Sequence, residues 1–171
     1  WRNLKNRKQA AKTRNFLTEH GISSYGELES KLTAVSARRD TAHAEIKRIE
    51  SRSAELTLVM KHAGTYRQLK PLYDRYRKSN DKEKFLRGHE SEIILFEAAA
   101  RELKRLGAVP LPTTESMKTE LANLNAEKER LLAEYKAARA EAQEYDTVKQ
   151  NVDALLTVPK EQEQQRRHEL E

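Results

Sequence analysis

Two stripes of apolar residues, one early and one late, restrict this chain more than any other feature. The early stripe runs Leu28, Leu32, Val35, Arg39, Ala42, Ile46, Ile49, Ser53, Leu56 and Met60, in steps that alternate four and three. Eight of these ten positions are apolar, the pattern of a helix that buries a narrow seam against another helix. The late stripe runs Met117, Leu121, Leu124, Lys128, Leu131, Tyr135, Ala138, Ala142, Tyr145, Lys149, Val152 and Leu156 with the same alternation and two polar defects. No segment alternates apolar and polar residues with period two, so a sheet is not expected. Apolar residues are 37% of the chain and charged residues 35%, which suits long helices with a thin core and a solvated exterior.

The fold class predicted is all-α: an elongated antiparallel coiled-coil hairpin of two long helices, with a small helical head at one end and a basic N-terminal helix. Its segments are a basic helix over 1–22, a first arm over 23–64, a helical head over 65–112, a second arm over 113–158 and a polar tail over 159–171. Gly21 is a natural helix stop, and Ser24 with Glu27 has capping-box spacing. Gly64 and Thr65 are expected to interrupt the first arm near Ala63. Pro71 should begin or kink a further helix, and Pro159 should end the second arm near Thr157. Within the head, a short helix should reach Gly88 and a stronger one should run from Ser91 to Leu106. A register that sets Met60 near Leu121 and Leu28 near Val152 or Asp153 also puts Ser53 opposite Lys128, so two seam defects share a layer. Pairing within one chain and pairing between two copies in a homodimer both satisfy the stripes.

The net charge is +6, and it is unevenly spread. Residues 1–14 carry Arg2, Lys5, Arg7, Lys8, Lys12 and Arg14 and no acid. Residues 66–87 carry eight bases, Arg67, Lys70, Arg75, Arg77, Lys78, Lys82, Lys84 and Arg87, against three acids. The stretch from 88 onward is net acidic. Both basic clusters are candidate phosphate-contacting surfaces for non-specific DNA binding. The alternative for the first is a linker helix from a preceding domain. For the second it is a head whose Tyr66, Tyr73 and Tyr76 pack inward while the cations are merely solvated.

Nothing in the chain resembles catalytic machinery. There is no glycine-rich phosphate loop, acid pair or nucleophile arrangement. The five histidines, His20, His43, His62, His89 and His168, lack metal-site spacing and read as helix-surface or helix-end residues. No catalytic residue, metal ligand or cofactor is therefore expected. The absence of cysteine removes disulfides and thiolate sites and favours a cytosolic setting. No apolar run approaches the roughly 18 residues of a membrane span. The first residue is Trp1, which suggests a piece of a longer protein, and Leu170-Glu171 could be a vector-derived addition.

Three stretches are distinctive together: Tyr66-Arg-Gln-Leu-Lys-Pro-Leu-Tyr-Asp-Arg-Tyr-Arg-Lys-Ser, Asp81-Lys-Glu-Lys-Phe-Leu-Arg-Gly-His-Glu and Glu92-Ile-Ile-Leu-Phe-Glu-Ala-Ala-Ala-Arg, with Asn15-Phe-Leu-Thr-Glu-His-Gly-Ile upstream. They resemble the C-terminal region of relaxases, the mobilisation nucleases of mobile elements in Gram-positive, Clostridia-like bacteria. The likeness covers roughly Asn15 to Leu156 and is one of texture rather than of a catalytic motif. That family's nucleophilic tyrosine and metal-binding histidine cluster belong to its N-terminal nuclease domain, so no catalytic residue is carried over. The resemblance implies a cytoplasmic bacterial module that contacts transferred DNA, accessory mobilisation proteins or coupling proteins. The rival reading is a coiled-coil spacer or dimeriser of another multidomain protein.

Overall fold

The computed structural model describes residues 2–168, and the side chains of residues 7–157. It contains four helices: α1 (Arg2–Glu19), α2 (Tyr25–Lys78), α3 (Lys82–Arg105) and α4 (Thr114–His168). Among the described residues there is no strand. The chain divides into two compact units, one of residues 1–44 with 131–171 and one of residues 45–130.

The ends of the helices follow from their local chemistry. At the close of α1, Gly21 takes φ 60°, a left-handed conformation that glycine adopts without steric cost. The Ile22 amide then bonds the Leu17 carbonyl at 2.8 Å and the Gly21 amide bonds Thr18 at 3.1 Å, the crossed pair that satisfies the last carbonyls of a helix. Gly107, at φ 68°, closes α3 in the same way through Ala108 and Leu103. At the start of α2 the Glu27 amide donates to Ser24 Oγ at 3.2 Å, while the Glu27 carboxylate accepts from the Ser23 amide and hydroxyl. The carboxylate thus reaches one residue further back than in the usual capping box. These donors hold the Glu27 carboxyl below its ordinary range, the Ser23 amide foremost. Asp81 caps α3 by accepting from the Lys84 amide, and Thr113 caps α4 by accepting from the Ser116 amide.

Two expected helix breaks do not occur. The interruption at Gly64 and Thr65 is absent, and α2 continues through both Gly64 and Pro71 to Lys78. An interior glycine costs about 1 kcal/mol relative to alanine and a proline about 3 kcal/mol. Those local costs are offset by the burial of Ala63 and the packing of Tyr66 on the same stretch of helix. Arg67 and Pro71 both face outward, so water can reach the carbonyl that proline leaves unbonded. Likewise α4 passes Pro159 instead of stopping near Thr157. The side chains of Pro159 and of the polar tail, including Leu170-Glu171, lie outside the described residues. Within α3 the expected division is present as a kink, with His89 at φ −142°, ψ 26°.

In the unit of residues 1–44 and 131–171, Leu28, Val35, Ala142, Tyr145 and Val148 form a buried cluster. Phe16, Leu17 and Ile22 from the α1 end pack against it, as does Val152. The Phe16 ring stacks on His20 at 4.0 Å and meets Tyr145 edge-on at 5.1 Å. Beside this core, partners number downward on α4 as they number upward on α2, so the two helices run antiparallel here. Tyr25 meets Asp153, Glu29 meets Lys149, Arg38 meets Glu141, and His43 stacks on Tyr135. On the other side of α4, the Thr13 hydroxyl accepts from Asn151, which in turn accepts from Gln9.

In the unit of residues 45–130, Leu56, Val59, Ala63, Leu103, Ala108 and Met117 form the buried cluster, with Met60, Leu121 and Leu124 against it. Lys128, expected in the same layer as Ser53, forms an ion pair with Glu50 at 2.7 Å. The Ser53 hydroxyl is buried without a hydrogen-bond partner.

The contact at the start of α2 has a defined pH dependence. The Tyr25 hydroxyl donates to Asp153 Oδ1 at 2.6 Å, and Lys149 Nζ lies 3.1 Å from Asp153 Oδ2. The Tyr25 bond and then Lys149 hold the Asp153 carboxyl below its ordinary 3.8. The Asp153 acceptor raises the Tyr25 hydroxyl above 10.0. A lowered carboxyl pKa gives stabilisation that is present above the unfolded value and is lost as pH falls through the folded one. The raised tyrosine pKa works at the other end: its contribution is present below the unfolded value and is lost as pH rises through the folded one. Asp153→Asn should therefore melt below the parent at neutral pH, and the two should converge well below pH 3.8. A melting-temperature series against pH measures this, and a difference that persists in acid would assign the effect to something other than the carboxylate.

Candidate nucleic-acid interface

The turn between α2 and α3 gathers most of the second basic cluster. Its three acids are all engaged. Asp74 pairs with Lys70 at 3.1 Å, Asp81 accepts from the backbone of α3, and Glu83 lies 3.8 Å from Arg87. Arg75, Arg77, Lys78, Lys82 and Lys84 are exposed. Among the described residues none of these five has a carboxylate partner. Five exposed cations thus stand on two adjoining helix ends, the accessible positive charge that a phosphate contact would draw on.

Arg67 belongs to the same sequence cluster but has a different use. Its guanidinium donates to Thr114 Oγ1 at 2.7 Å and to the Pro112 carbonyl, clasping the chain where it enters α4. Sequence reasoning missed this role, because the partners lie some 45 residues away and share no periodicity with Arg67.

The tyrosines in the cluster pack inward. Tyr66 and Tyr73 stack on Phe96 at 4.8 and 4.2 Å. Tyr76 tilts against Tyr73 and Phe85, and Phe85 against His89. The Tyr73 hydroxyl donates to Glu97, and burial first, then the Glu97 charge, raises its pKa. His89 Nδ1 is buried without a hydrogen bond, and its nearest carboxylate oxygen, on Glu92, is 3.8 Å away.

The first basic cluster lies in the other unit. Arg7, Lys8, Lys12 and Arg14 are exposed on α1. Lys12 stands at the rim of a groove of about 650 Å³ between α1 and α4, with Thr13, Phe16, Gln143, Glu144 and Asn151. Arg2 and Lys5 are within the α1 backbone, and their side chains lie outside the described residues.

Among the described residues, no group of three or more His, Cys, Asp or Glu side chains is placed to hold a metal ion. None of the described helices is long and apolar enough to cross a membrane. Compared with protein-family models, curated proteins and solved structures, the chain has no match.

Proposed function

We propose that this chain is a non-catalytic helical module of a mobilisation relaxase, and that it docks the DNA–relaxase complex by contacting DNA phosphates. The observation that carries the reading is the commitment of all three acids at the α2–α3 turn, which leaves Arg75, Arg77, Lys78, Lys82 and Lys84 without carboxylate partners among the described residues. The relaxase assignment itself is supported by the sequence likeness over Tyr66–Ser79, Asp81–Glu90 and Glu92–Arg101. Accessory mobilisation proteins and coupling proteins are the further partners that this role implies.

The test is fluorescence anisotropy with labelled DNA at several salt concentrations. Affinity should fall steeply with salt, because each phosphate contact releases a counterion. Replacing the five free cations with Glu should remove measurable binding at physiological salt. Arg67 and Lys70 are left intact, since Arg67 holds the entry to α4 and Lys70 is already paired. Unchanged binding by the fivefold variant, or no binding by the parent chain, would sink the DNA role. In the second case, the lengths of α2 and α4, 54 and 55 residues, favour a structural spacer. The relaxase assignment has its own check: reading the encoding gene upstream of Trp1 should reveal a nuclease domain with a histidine cluster and a nucleophilic tyrosine.

A further inference from the structure

We infer that the ligand of this surface is duplex DNA, and that it lies along one acid-free stripe of α2 formed by Lys61, Gly64, Gln68, Pro71, Arg75 and Lys78. This rests on the DNA-contact reading above and specifies both the form of nucleic acid and the face it meets. The six residues follow one another in steps of three and four, the spacing that keeps side chains on one helix face. All six are exposed. The stripe is about 25 Å long at ~1.5 Å per residue.

Three observations favour a duplex. First, a single-strand site ordinarily supplies aromatic faces on which bases stack. The aromatic rings beside these cations are stacked or tilted against one another, from Tyr66 through Phe96, Tyr73, Tyr76 and Phe85 to His89. Second, the middle of the stripe is low in profile. A Cβ added at Gly64 would meet nothing within 4 Å, and Pro71 carries only its ring, so the helix can approach a ligand closely while Lys61 and Arg75 reach out on either side. The neighbouring acids Glu55 and Asp74 are drawn to Arg52 and Lys70. Third, an α-helix with its side chains is about 10–12 Å across, and the major groove of B-form DNA is about 12 Å wide. The major groove of A-form RNA is too narrow to admit it. Duplex DNA also carries one charge per about 1.7 Å of axis, a denser array than a single strand offers to the same cations.

The experiment uses the full chain against a 5′-labelled DNA duplex of about 20 base pairs, one of its strands alone and an RNA duplex of equal length, each across a salt series. The DNA duplex should bind at least about tenfold tighter than either alternative at matched salt. The combined variant Lys61→Gln, Arg75→Gln, Lys78→Gln should lower the slope of log affinity against log salt by about three. Off the stripe, Arg77→Gln with Lys84→Gln should lower it by less than about one. Gly64→Gln tests the face without altering charge. It should melt at or above the parent temperature, because Gly64 is helical and unobstructed, yet bind the duplex about tenfold more weakly. Equal or tighter binding of the single strand or of the RNA duplex would overturn the duplex assignment while leaving the DNA-contact reading in place. Equal losses from on-stripe and off-stripe variants would overturn the stripe. Binding to none of the three would overturn both.

Discussion

Ala63→Asp should strongly destabilise the unit of residues 45–130. Ala63 is 0% exposed and sits among Leu56, Val59, Leu103, Ala108 and Met117. None of these offers a hydrogen-bond donor or positive charge from its side chain. A carboxylate forced into such a place loses its hydration and gains nothing in return, or else it takes up a proton and is still left with unsatisfied oxygens. The larger side chain also needs volume that a close-packed cluster lacks. Together these place the loss at about 4 kcal/mol or more, a large share of the roughly 5–15 kcal/mol that holds a typical domain together. Far-UV circular dichroism should show a lowered melting temperature. Hydrogen exchange should show lost protection over residues 45–130. Ala63→Ser, which adds one small polar group, should be much milder. A melting curve for Ala63→Asp within about 1 kcal/mol of the parent would mean that water already reaches this site.

Leu28→Ala should destabilise the other unit by about 2–5 kcal/mol. Leu28 is 1% exposed, and it shares a cluster with Val35, Ala142, Tyr145 and Val148. Removing three carbons there forfeits transfer free energy and leaves a void bounded by helices that can close over it only in part. Leu28→Met, close to it in volume, should cost less than about 1.5 kcal/mol. Urea titration gives both values. The end of α1 rests on this cluster through Phe16, Leu17 and Ile22, so amide protection near Gly21 should weaken in the alanine variant and not in the methionine one. Equal losses from the two variants would indicate that the site tolerates shape but not substitution of any kind, contrary to a cavity origin.

Much of the architecture was readable because it depends on periodicity and on local backbone chemistry. The two apolar stripes mark many of the buried residues: Leu28, Val35, Ala42, Ile46, Ile49 and Leu56 early, and Met117, Leu131, Ala138, Ala142 and Tyr145 late; Leu156, at the end of the late stripe, is instead exposed, and the buried Val59, Ala63 and Val148 lie off the stripes. Gly21 ends α1 because only glycine takes its backbone conformation cheaply, and that is a property of a single letter. The inward packing of Tyr66, Tyr73 and Tyr76 also follows from spacing along one helix.

The expectations that did not hold share a different character. Gly64 and Pro71 have local costs that can be read from residue type, while the gains that outweigh them come from packing of the same stretch of helix, such as Ala63 and Tyr66, against distant segments. Within the candidate interface, sequence could count eight bases against three acids. It could not tell that Arg67 is occupied by Pro112 and Thr114. The cations available to a ligand are thus a subset chosen by geometry. The Tyr25–Asp153–Lys149 contact was hidden for the same reason, as it joins opposite ends of the chain.

The kink at His89 limits how far any polyanion can follow this surface. A straight helix carries each azimuth along its whole length, so charges two turns apart can line one rail. Where the backbone leaves helical angles, that phase slips. Cations before the kink, such as Lys84 and Arg87, are therefore out of the regular helical phase with Arg101 and Lys104 beyond it. If DNA lies along α2 as proposed, the kink keeps it from continuing in register along α3, so its footprint on this unit would be confined to α2 and the first turns of α3.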